Sequence, residues 1–112
     1  MSAKKAYFDT LRSLAFGDIS AAYAAIGTPL DVVGRIIVIT NNTDAALIIS
    51  DDDTNVDGQL FLPAGGFKLF DFTANMVPQK DDGLFLAIGT QFYAKQLAAP
   101  TEGSVYIEIV YG

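Results

Sequence analysis

The sequence predicts an all-β fold, an antiparallel β-sandwich of jelly-roll type with about eight short strands, and three observations predict it. Apolar runs rich in β-branched and aromatic residues recur along the chain. Clusters of Gly, Pro, Asn and Asp separate them at roughly the 8 to 12 residue spacing of sandwiches and barrels. Side chains alternate in polarity within several runs, most cleanly in VYIEIVY over residues 105–111. A small closed barrel shares these features, because pairing order is not written in the sequence. No internal repeat, low-complexity tract or second domain appears, so residues 12–112 read as one sandwich domain preceded by an arm over residues 1–11.

The arm, MSAKKAYFDTL, has mixed charge and no clear period, as expected of a segment that orders on assembly. A short apolar run over residues 11–16 follows and is closed by Gly17 and Asp18. In ISAAYAAI, residues 19–26, alanine favours helix. The bracketing Gly17 and Gly27 and the alternation of Ala22, Ala24 and Ile26 with Ala21, Tyr23 and Ala25 favour strand, the reading adopted. Residues 29–34 then form a connection, since Pro29 removes a ladder donor and Asp31 and Gly34 are turn formers.

The central stretch holds IIVIT at residues 36–40 and ALII at residues 46–49, separated by Asn41, Asn42, Thr43 and Asp44. These read as a hairpin. Both faces of each strand are apolar, which places the pair mid-sheet, covered on both sides by a second sheet or a neighbouring subunit. An acidic loop over residues 51–58 leads to a strand at residues 59–62, a turn at Pro63 to Gly66, and a strand at residues 67–72 with aromatic mass on both faces. Residues 73–83 form a long polar connection. Residues 84–88 and 91–96 read as a further pair around Gly89 and Thr90. The last strand points Val105, Ile107, Ile109 and Tyr111 inward and Tyr106, Glu108 and Val110 outward. The expected core is Ile37, Ile39, Leu47, Ile49, Phe61, Leu69, Phe92, Ile107 and Ile109.

Composition excludes much chemistry. The chain has no Cys and no His, hence no thiolate, no imidazole base and no usual nitrogen or sulfur ligand set for a transition metal. No glycine-rich phosphate motif is present. The expectation is a protein that is not an enzyme, with no catalytic residues and no cofactor. A net charge of −6 with scattered cations argues against nucleic-acid binding. No apolar run reaches membrane-spanning length, and the N-terminus lacks a continuous apolar leader, so an intracellular product that does not enter membranes is expected.

Asp53, Asn55 and Asp57, followed by Gly58, match the opening of an EF-hand calcium loop and are the candidate metal ligands. Ala64 occupies the position of the closing bidentate glutamate, so a solvated turn is the favoured reading and no metal is expected. Asp71, between Phe70 and Phe72, is a carboxyl that burial would push up, but pairing with a lysine or capping of the turn after it is the favoured reading. Tyr23, Tyr93 and Tyr106 are the aromatics that a carbohydrate-binding module would expose.

The hydrophobic share of 51% and a mean hydropathy of +0.33 are high for so small a chain. Some apolar side chains are therefore expected to face a partner, most simply in a homo-oligomer or assembly. Tyr7, Phe8 and Leu11 are the candidate interface residues, being apolar in a segment outside the strand pattern.

Four segments, FDTLRSLAFGDISAAYAAIGTPL, RIIVITNNTDAALIISDD, QLFLPAGGFKLFDFTAN and GTQFYAKQLAAPTEGSVYIEIVYG, cover nearly the whole chain and resemble short structural proteins encoded in the virion gene clusters of tailed bacteriophages. The resemblance implies a β-sandwich module that decorates or cements the capsid, or forms a ring at the head-to-tail junction or in the tail. The implied partners are major capsid or portal-region proteins, with no small-molecule substrate. The implied place is the virion, assembled in the host cytoplasm. No site residue is carried over with it. A carbohydrate-binding module of a fibre is the alternative that the exposed aromatics would serve.

Overall fold

A computed structural model describes residues 6–51, 59–72 and 86–112. The strands are β1 (Tyr7–Phe8), β2 (Arg12–Ala15), β3 (Ala24–Ala25), β4 (Ile36–Asn41), β5 (Leu47–Ser50), β6 (Leu60–Leu62), β7 (Phe67–Asp71), β8 (Tyr93–Gln96) and β9 (Ser104–Tyr111), with one 3-10 turn at Phe16–Asp18. All pairings are antiparallel, and they nest: β2 with β9, β3 with β8, β4 with β7, and β5 with β6. The chain is thus one long hairpin, rolled up so that β4 also meets β9 and β5 also meets β8. That wrapping is the jelly roll. One sheet runs β1 and β2, then β9, β4, β7; the other runs β3, β8, β5, β6.

The core lies between the sheets. Ile37 and Ile39 of β4 and Val105, Ile107 and Ile109 of β9 face Leu47 and Ile49 of β5, Leu62 of β6 and Ala94 of β8. Ile19, Ile26 and Leu30 plug the mass from the connections. Ile107 is fully buried, so Ile107→Ala is expected to destabilise the fold by about 2 to 5 kcal/mol, read as a lower denaturation midpoint. A wild-type midpoint would contradict its inward placement.

Several expectations change. The stretch over residues 36–49 is not a hairpin, because β4 and β5 belong to different sheets. At the corner between them Asn41 is fully buried and acts as a brace. Its Nδ2 donates to the carbonyls of Ala45 (2.9 Å), Leu62 (3.1 Å) and Pro63 (3.1 Å), and its Oδ1 accepts from the Thr43 amide (3.0 Å) and hydroxyl (2.6 Å). These bonds satisfy backbone groups where the chain crosses between sheets. The mid-sheet position does hold for both strands, with β4 between β9 and β7, and β5 between β8 and β6.

Phe61 and Leu69, expected in the core, are 50% and 56% exposed on outer faces. Leu60 and Leu62 take the inward places on β6, and Lys68 and Phe70 lie opposite inward Ile39 and Ile37. A strand apolar on both faces does not declare which face is inward. Of residues 19–26 only Ala24–Ala25 is strand, although Ile19 and Ile26 are buried. β8 pairs with β3 and β5 rather than with the segment before it, and Leu86 makes a single bridge to Gly34. Most of the connection expected over residues 73–83, with residues 84 and 85, lies outside the described residues.

Candidate functional site

The arm expected over residues 1–11 joins the sheet from Tyr7, where β1 extends the edge of β9 by pairing Tyr7 with Tyr111 and Phe8 with Val110. At Arg12 the pairing resumes opposite Ile107, so Asp9, Thr10 and Leu11 face only Glu108 and Ile109. One residue too many makes a bulge. Arg12 holds it: the side chain is buried, Nη1 pairs with Asp9 Oδ2 (2.8 Å) and donates to the Thr10 carbonyl (3.1 Å), while Nε and Nη2 donate to the carbonyls of Thr28 (2.8 Å) and Pro29 (3.2 Å).

Burial pushes the Asp9 carboxyl up, but the hydrogen bonds from Arg12 and from the Thr10 backbone, with the Arg12 charge, outweigh it and hold the group below its ordinary 3.8. A lowered folded pKa means that the bulge's contribution is complete above 3.8 and is lost as pH falls through the lowered value. The expected result is a melting temperature that declines on acidification in this range, with a shallower decline in Asp9→Asn. Equal slopes for the two proteins would show that Asp9 does not carry the effect.

The strand register lays out the outer face of the larger sheet row by row. Asp71, Ile36, Val110 and Phe8 form one row. Leu69, Val38 and Glu108 form the next, with the bulge beyond Glu108. Phe67, Thr40, Tyr106 and Ser13 form the third. No second layer covers this face among the described residues, and Phe8 is 89% and Phe67 66% exposed. Glu108 therefore stands near the middle of an apolar sheet surface. Beside it a groove of about 410 Å³ runs between the bulge and β4, walled by Phe8 and Leu11 and floored by Val38 and Val110.

Two of the three interface candidates, Phe8 and Leu11, meet in this groove. Tyr7 points to the other side of its strand and stacks on Tyr111 at 5.4 Å. No motif marks Val38, Leu69 and Glu108 as site residues, though the double-sided apolar pattern of β4 and β7 is the sequence trace of this face. Asp53, Asn55 and Asp57 lie outside the described residues. Among the described residues, no cluster of three or more acidic, His or Cys side chains could hold a metal ion. Asp71 is exposed at the corner of the apolar face, not buried between its neighbouring phenylalanines. Tyr23, Tyr93 and Tyr106 are all half-buried, and Lys95 Nζ covers the Tyr23 ring at 4.8 Å.

A second concavity, of about 300 Å³, opens between the sheets against Ile37, Ile49, Leu60 and Phe70. Asp51, Gln59, Phe72 and Leu86 also line it, and they border the segments 52–58 and 73–85 that lie outside the described residues. Compared with known proteins, the chain matches no family model, no curated protein and no solved structure.

Proposed function

We propose that the chain is a non-enzymatic structural protein of a tailed-bacteriophage virion, docked on the capsid as a cement or decoration protein. The observation that carries this reading is the apolar outer face of the larger sheet, with Phe8, Leu11, Phe67 and Leu69 each more than half exposed. A sheet surface of this kind is costly on an isolated domain and useful where capsomers must be bridged, because apolar contact is non-directional. The sequence resemblance supplies the virion. Edge-strand addition also sets Tyr7 and Phe8 of β1 at the border of that face.

Quantitative mass spectrometry of purified virions tests the reading. Hundreds of copies per particle are expected for a capsid protein, whereas about a dozen would move the chain to the ring at the head-to-tail junction. Absence from the particle would overturn the virion assignment.

A further inference from the structure

We infer that the outer face of the larger sheet docks a basic, apolar surface of a different protein, and that Glu108 receives an arginine or lysine from it. The inference rests on the docking reading above and names the partner's chemistry. Glu108 stands between Val38, Val110 and the groove lined by Phe8 and Leu11, and no ion pair from a described residue reaches it. Covering this face with a purely apolar partner would strip water from the carboxylate without replacing its hydrogen bonds, which is strongly unfavourable. A partner that brings a cation avoids that loss. The groove suits such a side chain, since its apolar walls can hold an aliphatic stem, and the Phe8 ring can meet a guanidinium.

The same geometry disfavours a second copy of this chain. A two-fold contact centred on the face would bring one Glu108 towards the other. An off-centre contact meets few cations among the described residues: Arg12 is buried, and Arg35, Lys68 and Lys95 are half-buried. Asp18, Asp31, Asp44, Asp71, Glu102 and Glu108 are all exposed. The described surface therefore repels its own kind and attracts a basic one, and this attraction speeds encounter as well as fixing register.

At 11.9 kDa the chain suits a heteronuclear NMR titration with two probes, the capped tripeptides acetyl-Leu-Arg-Leu-amide and acetyl-Leu-Glu-Leu-amide. The arginine peptide is expected to move the amide signals of Val38, Glu108 and Val110 at millimolar concentration. The glutamate peptide should not, and Glu108→Gln should bind the arginine peptide about tenfold more weakly at an unchanged melting temperature. Equal shifts with both peptides, or none with either, would overturn the inference. So would a concentration-dependent dimer in sedimentation that Val38→Asp abolishes. Co-sedimentation with virion shells lacking the protein separates the two readings. If the wild type binds and Glu108→Lys loses binding, the inference is supported. Undiminished binding of Glu108→Lys overturns it and leaves the capsid reading standing. A wild type that binds no shell overturns the capsid reading, while the peptide titration still decides the chemistry of the face.

Discussion

Arg12→Met is expected to destabilise the fold by about 2 to 4 kcal/mol, because several partly buried acceptors lose one charged donor at once. Methionine matches the aliphatic stem but supplies no donor. The Asp9 carboxylate and the carbonyls of Thr10, Thr28 and Pro29 would all lose their bond to the guanidinium. Three segments come apart together: the bulge, the start of β2 and the connection after β3. Lysine should recover only part of the loss, because a single ammonium does not span acceptors that lie on opposite sides of a planar guanidinium. Chemical denaturation of the wild type, Arg12→Lys and Arg12→Met gives the comparison. A loss below about 1 kcal/mol for methionine would mean that water reaches these acceptors and that the buried fork is not what ties the segments.

Gly103→Ala should be more damaging still, with a loss above about 4 kcal/mol or no folded protein at all. Gly103 adopts φ +85°, in the left-handed region, which alone costs roughly 1 to 2 kcal/mol for a residue with a side chain. The larger effect is steric. A Cβ at this position would overlap the Asn42 carbonyl oxygen, lying 2.8 Å from its carbon and 3.0 Å from Thr43 Cα. None of these atoms is the end of a flexible side chain. They belong to the corner braced by Asn41, and the same contact zone carries the bonds from the Asn42 amide to the Ser104 carbonyl (2.9 Å) and from the Thr101 amide to Asp44 Oδ1 (2.7 Å). Gly65→Ala is the control, with φ +70° and open space around its would-be Cβ. It should lose only the conformational part. Equal losses at the two sites would assign the Gly103 effect to backbone strain instead of contact.

The outer face of the larger sheet and the buried corner mark opposite limits of what sequence pattern encodes. Val105, Ile107 and Ile109 alternate with Tyr106, Glu108 and Val110, and their inward and outward places follow directly, because one face of β9 is uniformly apolar and the other carries a charge. β4 and β7 give no such contrast. In them the exposed Leu69 and Phe67 are chemically equivalent to core residues, so the pattern records that both faces are apolar but not that one of them faces outward. Asn41 is similar. Its letter suits a hairpin turn as well as a buried brace, and the difference lies in the carbonyls of Leu62 and Pro63, about twenty residues away in the chain.

Local pattern is enough for the all-β class, the mid-sheet character of β4 and β5, the inward face of β9, and an excess of apolar side chains beyond what a small core can hide. Each of these depends on local alternation, turn chemistry or composition, which a linear chain carries in full. Long-range packing sets the rest: that β4 and β5 part into different sheets, that Gly103 must be glycine, that Arg12 is a buried clamp, and that Phe8, Val38, Leu69 and Glu108 share one surface. Those facts depend on residues distant in sequence meeting across strand pairings such as β2 with β9 and β4 with β7, and the choice of partner strand is made by the packing of the whole sandwich, not by any one segment.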